Sequence, residues 1–140
     1  MLIYILSRNE NLYSTNRLVK AGEKAGHSIK VLSHMFCDLL IQNSEFKVSY
    51  NDVILPKPDY IIPRIGANVT KQGEKVIRHF EKMGVPTLTC ADGLLNSRNK
   101  FRCMQILAEK ELNMPTTFFS NDLEHAESLI EKNKAFGYPF

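Results

Sequence analysis

The sequence predicts an α/β fold, a Rossmann-like open and mainly parallel sheet flanked by helices. Short apolar runs, typical of strands buried on both faces, recur at residues 2–6, 29–32 and 59–63. Between them lie segments with the helical spacing of apolar residues, clearest at residues 76–83. Because strands that alternate with helices are joined by crossovers, this order indicates a parallel sheet.

The first elements form one β-α-β unit. Residues 2–6 begin the sheet as a buried strand. A modest helical stripe over residues 13–25 follows, with Ser14 or Thr15 as the expected N-cap. The strand at residues 29–32 completes the unit.

The middle of the chain predicts a small β-excursion before the sheet resumes. Residues 34–41 fit neither a helix nor a strand alone. Asn51-Asp52 lies between two strand-like runs and is typical of a two-residue hairpin turn. Pro63 is expected at the end of its strand, since proline cannot donate to a central ladder. Arg64 therefore belongs at the carboxyl end of the sheet.

The remaining elements are a short strand at residues 87–89, helices from residue 91 and over residues 100–112, a strand-like segment at 116–119 and a helix over 121–135. The apolar pairs Met35-Phe36 and Phe118-Phe119 are predicted to lie in the core. Gly137 and then Pro139 are typical of a helix end, so we expect a further strand beyond Phe140.

Composition excludes several classes of protein. The 18 basic and 15 acidic residues give a net charge of +3 without a long run of like charges, so no nucleic-acid partner is expected. The apolar start is too short for a membrane span. Three cysteines without a Cys-x-x-Cys pair favour a reducing, cytoplasmic location, and the four unclustered histidines predict no metal site.

Ligands of open α/β sheets collect beyond the carboxyl ends of the strands, which directs attention to two loops. Ser7-Arg8 follows the first strand without a Gly-x-Gly-x-x-Gly motif, which argues against a dinucleotide-binding dehydrogenase. Arg64 stands near Gly66 after the third main strand and could hold a carboxylate or phosphate by two parallel hydrogen bonds. Pairing of Arg64 with a neighbouring acid, with Gly66 only turning the chain, is the other interpretation.

Lys100 is expected near the start of a helix, where free backbone N–H groups attract anions. The helix dipole disfavours a cation at this end. Lys100 is therefore either a phosphate-binding residue or an ordinary solvated lysine.

Several stretches resemble the N-terminal part of RimK-type ATP-grasp ligases. They are residues 5–8 (Ile-Leu-Ser-Arg), 62–66 (Ile-Pro-Arg-Ile-Gly), 99–107 (Asn-Lys-Phe-Arg-Cys-Met-Gln-Ile-Leu) and 114–116 (Met-Pro-Thr). The resemblance covers essentially the whole chain. It implies a pre-ATP-grasp domain at residues 1–95 and the beginning of an ATP-grasp domain, truncated, at residues 96–140.

The resemblance also implies an activity and a set of site residues. These enzymes are carboxylate-amine ligases; the type member adds glutamate to the C-terminus of a small-subunit ribosomal protein, and relatives act on a pterin cofactor or on carrier proteins. By the resemblance, Ser7, Arg8, Arg64 and Gly66 shape the acceptor-substrate side and Lys100 approaches the nucleotide phosphates. Asn99 replaces the Asp that commonly precedes this lysine, which weakens any charge pairing there.

For the 140 residues alone the resemblance implies no catalytic residue, no bound cofactor and no activity, because the nucleotide lysine of the next strand, the phosphate loop and the metal ligands would lie beyond Phe140. The parent is expected to use ATP and Mg²⁺ or Mn²⁺, to join glutamate to a protein C-terminus or a small-molecule acceptor, and to form a homo-oligomer. The alternative is a non-catalytic Rossmann-like binding or assembly domain.

Overall fold

The computed structural model describes residues 1–134, which fall into two compact units, Met1–Arg98 and a second unit from Asn99 onward. The strands are β1 (Leu2–Ser7), β2 (Ser28–Leu32), β3 (Cys37–Gln42), β4 (Glu45–Tyr50), β5 (Val53–Ile54) and β6 (Tyr60–Arg64). The helices are α1 (Tyr13–Lys24), α2 (Thr70–Lys82), α3 (Ala91–Arg98), α4 (Lys100–Glu109) and α5 (Leu123–Lys134). The expected helix end at Gly137 and Pro139 lies outside the described residues.

A parallel sheet with the order β2-β1-β6 forms the centre of the first unit, which confirms the α/β prediction. Leu6 of β1 is level with Leu32 on one side and Pro63 on the other. The predicted strand at 87–89 is wrong, since a single bridge joins Thr87 to Ile61. The Thr87 hydroxyl donates to the carbonyl of Thr89 at 2.9 Å, and this turn of the chain ends the pairing.

The β-excursion is a separate antiparallel sheet with the order β3-β4-β5. Asn51 and Asp52 form the predicted hairpin turn, with φ values of 51° and 62°. A second two-residue turn of the same kind, at Asn43 and Ser44, was not expected from the sequence. Residues 34–41, which were ambiguous, divide into a 3₁₀ turn and most of β3.

Helix α2 packs against both sheets. Its buried face carries Ile77 and Phe80, and the ring of Phe80 meets Tyr4 of β1 edge to face. On the same helix the His79 ring lies edge to face with Phe46 of β4, and its Nε2 hydrogen-bonds the Lys47 carbonyl at 2.9 Å. The antiparallel sheet is thus fixed, through β4, to the same helix that covers the parallel sheet.

The predicted N-cap of α1 is wrong. The helix begins at Tyr13 after Leu12, which has no side-chain capping hydrogen bond. Ser14 and Thr15 therefore lie inside the first turn, and the Thr15 side chain is buried against Ser7 instead of capping the helix.

The second unit contains α4 and α5. The Asn99 side chain caps α4 by accepting the Arg102 N–H at 3.0 Å. Residues 116–119 form no strand, so that prediction is wrong; Phe119 is 63% exposed and packs its ring 5.5 Å from that of Phe101. The side chain of Asp122 accepts the Glu124 N–H at the start of α5.

The pair Met35-Phe36 was also predicted to lie in the core, and this prediction is wrong. Both side chains are exposed, that of Phe36 to 66%. Both residues lie in the 3₁₀ turn before β3, where the ring of His34 takes the buried position. Among residues 1–134, no helix has the length and apolar character that a membrane span requires.

Candidate functional site

A cleft of about 420 Å³ opens in the first unit at the carboxyl end of the parallel sheet. Its lining comes from the end of β6, the start of α1, the loop before α3 and the last turn of α3, namely Leu12, Thr15, Pro63, Arg64, Ile65, Gly66, Thr89, Leu94, Ser97 and Arg98. The sequence rule for α/β sheets predicts a ligand site at this edge. A concave surface with a few polar groups can bind a small molecule or a chain end.

Arg64 is the last residue of β6 and contributes an exposed guanidinium group to the cleft. Its Nη2 donates to the Ser14 hydroxyl at 3.2 Å. No carboxylate among residues 1–134 pairs with it, so the neighbouring-acid interpretation of Arg64 is wrong. A guanidinium group has five N–H donors, so most of those of Arg64 remain for a bound anion.

Gly66, two residues after Arg64, has an extended backbone conformation with φ of −71°. A glycine is therefore not required here for a left-handed turn. A Cβ at this position would lie 3.4 Å from Nη2 of Arg8 and 3.4 Å from Oδ1 of Asn68. The guanidinium of Arg8 therefore lies close to the backbone of Gly66. The structure brings together the two loops that carry the predicted substrate residues.

Ser7 is the last residue of β1, and its side chain is not among those that line the cleft. Its side chain is buried, and its hydroxyl donates to the Asn9 carbonyl at 3.0 Å. The Thr15 hydroxyl lies 3.2 Å from the same oxygen and can donate to it. Thr15 lines the cleft. Ser7 thus supports the wall of the cleft through Thr15.

Arg98 is a cleft residue that was not singled out from the sequence. It ends α3, and its Nη2 donates to the Ile65 carbonyl at 2.9 Å. The Ile65 side chain is also held, because it packs against Gly73 of α2. The contact is so close that a Cβ on Gly73 would lie 2.8 Å from Cγ1 of Ile65. The segment before Gly66 is therefore fixed from two sides. The contact with Ile65 joins residues 33 positions apart, so no local sequence pattern predicts it.

His34 lies in the turn after β2 and is 2% exposed. Neither ring nitrogen has a hydrogen-bond partner among the described residues. Burial lowers the pKa of this imidazole below its usual value, and the nearby positive charge of Arg8 lowers it further. His34 is therefore neutral at pH 7 and adds no positive charge beside Arg8.

Lys100 belongs to the second unit, where it is the exposed first residue of α4. Asn99 occupies the capping position before it, so the residue that replaces the expected Asp has a structural role in the helix start. Free N–H groups of a first helical turn favour an anion, and a lysine there supplies a mobile positive charge.

The arrangement of the cleft suits an anionic, carboxylate-bearing ligand. Arg64 and Arg98 present two guanidinium groups, and the walls between them are apolar or uncharged. Within residues 1–134, no three His, Cys, Asp or Glu side chains are placed to hold a metal ion. The described residues can therefore bind and orient an anion, and they provide no metal site.

Solved structures of ATP-grasp ligases share this fold. The ATP-grasp ligase PsnB, complexed with its minimal precursor, aligns with a TM-score of 0.69 at 12% identity over 94% of this chain and 52% of its own. The macrocyclase MdnB of Microcystis aeruginosa gives 0.67 at 16% identity, covering 95% of this chain and 59% of its own. D-alanine-D-alanine ligase of Aeromonas hydrophila gives 0.61 at 18% identity, covering all of this chain and 59% of its own.

Sequence relatives are closer. Proteins named probable alpha-L-glutamate ligase are 43% identical in a Marinomonas species and 42% identical in Vibrio atlanticus, each over 131 residues. The matches cover 94% of this chain and 44% of each relative, so the chain spans less than half of their length. The family described as the RimK PreATP-grasp domain matches residues 1–94. The chain therefore belongs to the RimK PreATP-grasp domain family.

Proposed function

We propose that this chain supplies the acceptor-substrate side of the active-site cleft in an ATP-dependent carboxylate-amine ligase that adds glutamate to an acceptor. The acceptor is the C-terminus of a small-subunit ribosomal protein or a related protein end or small molecule. Membership of the pre-ATP-grasp family and the names of the relatives support this reaction class. Catalysis is complete only in the whole ligase, which acts in the cytoplasm as a homo-oligomer.

The observation that carries the proposal is the guanidinium of Arg64 in the cleft. It stands at the end of β6. Within the described part of the chain, it donates a hydrogen bond to the Ser14 side chain and has no carboxylate partner. A bidentate pair with a substrate carboxylate would use these donors. Arg8, next to Gly66, adds a second cation to the same substrate side.

The chemistry assigns these residues their roles. ATP, as a substrate, supplies the phosphoryl group that converts a carboxylate into an acylphosphate, which an amine then attacks to form the C–N bond with release of phosphate. Arg64 orients the substrate carboxylate and offsets its charge, since an amine attacks a neutralised acyl group more readily. Lys100 is proposed to approach the nucleotide phosphates. Ser7 keeps Thr15 in place and Gly66 leaves room for Arg8.

The proposal for the whole ligase includes Mg²⁺ or Mn²⁺. The described residues do not fit a metal, because no cluster of three metal-binding side chains is found among them. Their part in the reaction is to bind and orient the substrate.

The test uses the whole protein that contains this chain, with ATP, glutamate and a peptide that ends as the ribosomal acceptor does. We expect mass spectrometry to find glutamyl residues added to the peptide, with one ADP formed for each. Reactions without peptide serve as the control. The absence of both glutamyl addition and glutamate-dependent ADP formation would overturn the proposal and favour a binding or assembly domain.

The 140-residue chain alone should bind ATP too weakly for calorimetry. Micromolar affinity would show that the nucleotide site is already present in these residues and would contradict the assignment to the substrate side.

A further inference from the structure

A second cavity in the first unit, of about 440 Å³, shares no lining residue with the cleft. It lies between the β4-β5 hairpin and the end of α2. Its walls combine three lysines and one carboxylate, Lys47, Lys57, Lys82 and Glu45, with apolar side chains that include Phe46, Ile54 and Met83. We call it the lysine pocket. The proposed ligation reaction gives it no role.

The positive charges of the lysine pocket are mostly uncompensated. Lys47 pairs with Glu45 at 2.8 Å. Lys57 and Lys82 have no carboxylate partner among residues 1–134. All three lysines are exposed at the rim, so they can reach a bound anion.

Capping of α2 does not account for these lysines. Lys82 lies in the last turn, where a positive charge is favourable. However, backbone N–H groups of residues 83, 84 and 85 already bond the carbonyls of residues 79, 81 and 80 at 2.9–3.0 Å. Gly84 makes this closure possible with φ of +71°. The ammonium groups are therefore not needed as hydrogen-bond donors to these three carbonyls.

The apolar wall limits what kind of anion fits. Ile54 is 51% exposed, while Phe46 and Met83 are half-buried. An inorganic anion would leave this wall in water. Among residues 1–134, strand β5 pairs with β4 alone, so its other edge offers backbone groups that could pair with an extended chain.

We propose that the lysine pocket binds an acidic peptide segment of a partner protein in extended conformation. Its carboxylates face Lys47, Lys57 and Lys82, and one apolar side chain lies against Ile54. The complementary charges attract the segment, and the apolar contact selects a peptide over a simple anion. The inference does not depend on the ligase reaction, because the pocket and the cleft are lined by different residues.

The experiment measures fluorescence anisotropy of a labelled Glu-Glu-Leu-Glu-Glu peptide titrated with the 140-residue chain at low salt. Saturable binding is expected. The double variant Lys57→Gln/Lys82→Gln should bind about tenfold more weakly. The control Lys20→Gln/Lys75→Gln removes the same charge from exposed positions outside both cavities and should bind within about twofold of wild type. Ile54→Ser keeps every charge and should still weaken binding by about threefold.

Four results would overturn the proposal. The first is the absence of saturable binding, and the second is an equal loss of affinity in the pocket and control double variants. The third is unchanged binding by Ile54→Ser. The fourth is displacement of the labelled peptide by tripolyphosphate at a concentration equal to or lower than that of unlabelled peptide. The last would mean a phosphate-type anion site. Circular dichroism of each variant checks that a loss of binding does not come from a loss of fold.

Discussion

Replacement of Gly73 by alanine tests how the cleft is held in place. Gly73 is a buried residue of α2 that packs on the side chain of Ile65. Ile65 and the next residue, Gly66, both line the cleft. A Cβ at residue 73 would lie 2.9 Å from Cδ1 of Ile65, 2.8 Å from Cγ1, and closer still to Cγ2. Carbon atoms rest at roughly 3.5–4.0 Å, so Ile65 would have to move by close to an ångström.

The expected cost follows from two opposing effects. Alanine in a helix is favoured over glycine by about 1 kcal/mol. Overpacking of a core costs about 1–3 kcal/mol, and the upper part applies because the branched Ile65 side chain is stiff and its carbonyl is held by Arg98. Gly73→Ala should therefore lower the free energy of unfolding by about 1–2 kcal/mol.

The assay is urea unfolding followed by far-UV circular dichroism. Gly22→Ala is the matched control: its Cβ would lie 2.5 Å from Cδ1 and 2.7 Å from Cγ1 of Ile29, but this side chain is partly exposed and can rotate away from the new methyl group. It should leave the protein unchanged or up to about 1 kcal/mol more stable. In the Ile65→Ala background Gly73→Ala should lose its cost. Equal or higher stability of the single Gly73→Ala variant would refute the reasoning.

Three further predictions concern the same unit. Burial and then Arg8 lower the pKa of His34, so as the pH falls the unfolded chain takes up a proton near pH 6.5 before the folded chain does. The free energy of unfolding should therefore fall as the pH drops below about 6.5, by up to about 1.4 kcal/mol per pH unit. His34→Leu should flatten this slope, which urea titrations at pH 7 and pH 5 would measure. Equal slopes would contradict the assignment. Glu81 accepts the Ala91 N–H at 2.9 Å, so Glu81→Ala should cost about 0.5–2 kcal/mol in urea unfolding, and no loss would exclude a capping role. Asp52 has φ of 62°, so Asp52→Gly should raise the thermal midpoint and Asp52→Val should lower it; the reverse order would contradict the turn geometry.

The sequence sufficed where local chemistry determines the structure. Continuous apolar runs identified the parallel strands, and Asn51-Asp52 identified one hairpin. The position of Arg64 followed from Pro63 in the same way, because a proline is expected near the end of a paired strand and places the next residue at the carboxyl edge.

Contacts between distant residues could not be predicted. Arg98 reaches Ile65 across 33 positions, and no spacing rule connects them. Thr15 was expected to cap a helix, yet tertiary packing buries it against Ser7. Phe36 has a core-type side chain in a turn that leaves it exposed. In each case packing between elements outweighed the local preference of the residue.

The most direct test of the substrate-side assignment is steady-state kinetics of Arg64→Ala in the whole ligase, with Arg17→Ala of the exposed face of α1 as control. Loss of a guanidinium-carboxylate pair, worth about 1.5–3 kcal/mol, should lower kcat/KM for the carboxylate substrate by about 10- to 150-fold. The KM for ATP should stay within about twofold of wild type, and the control should be unaffected. An equal rise in the KM for ATP, or unchanged kinetics with the carboxylate substrate, would contradict the account.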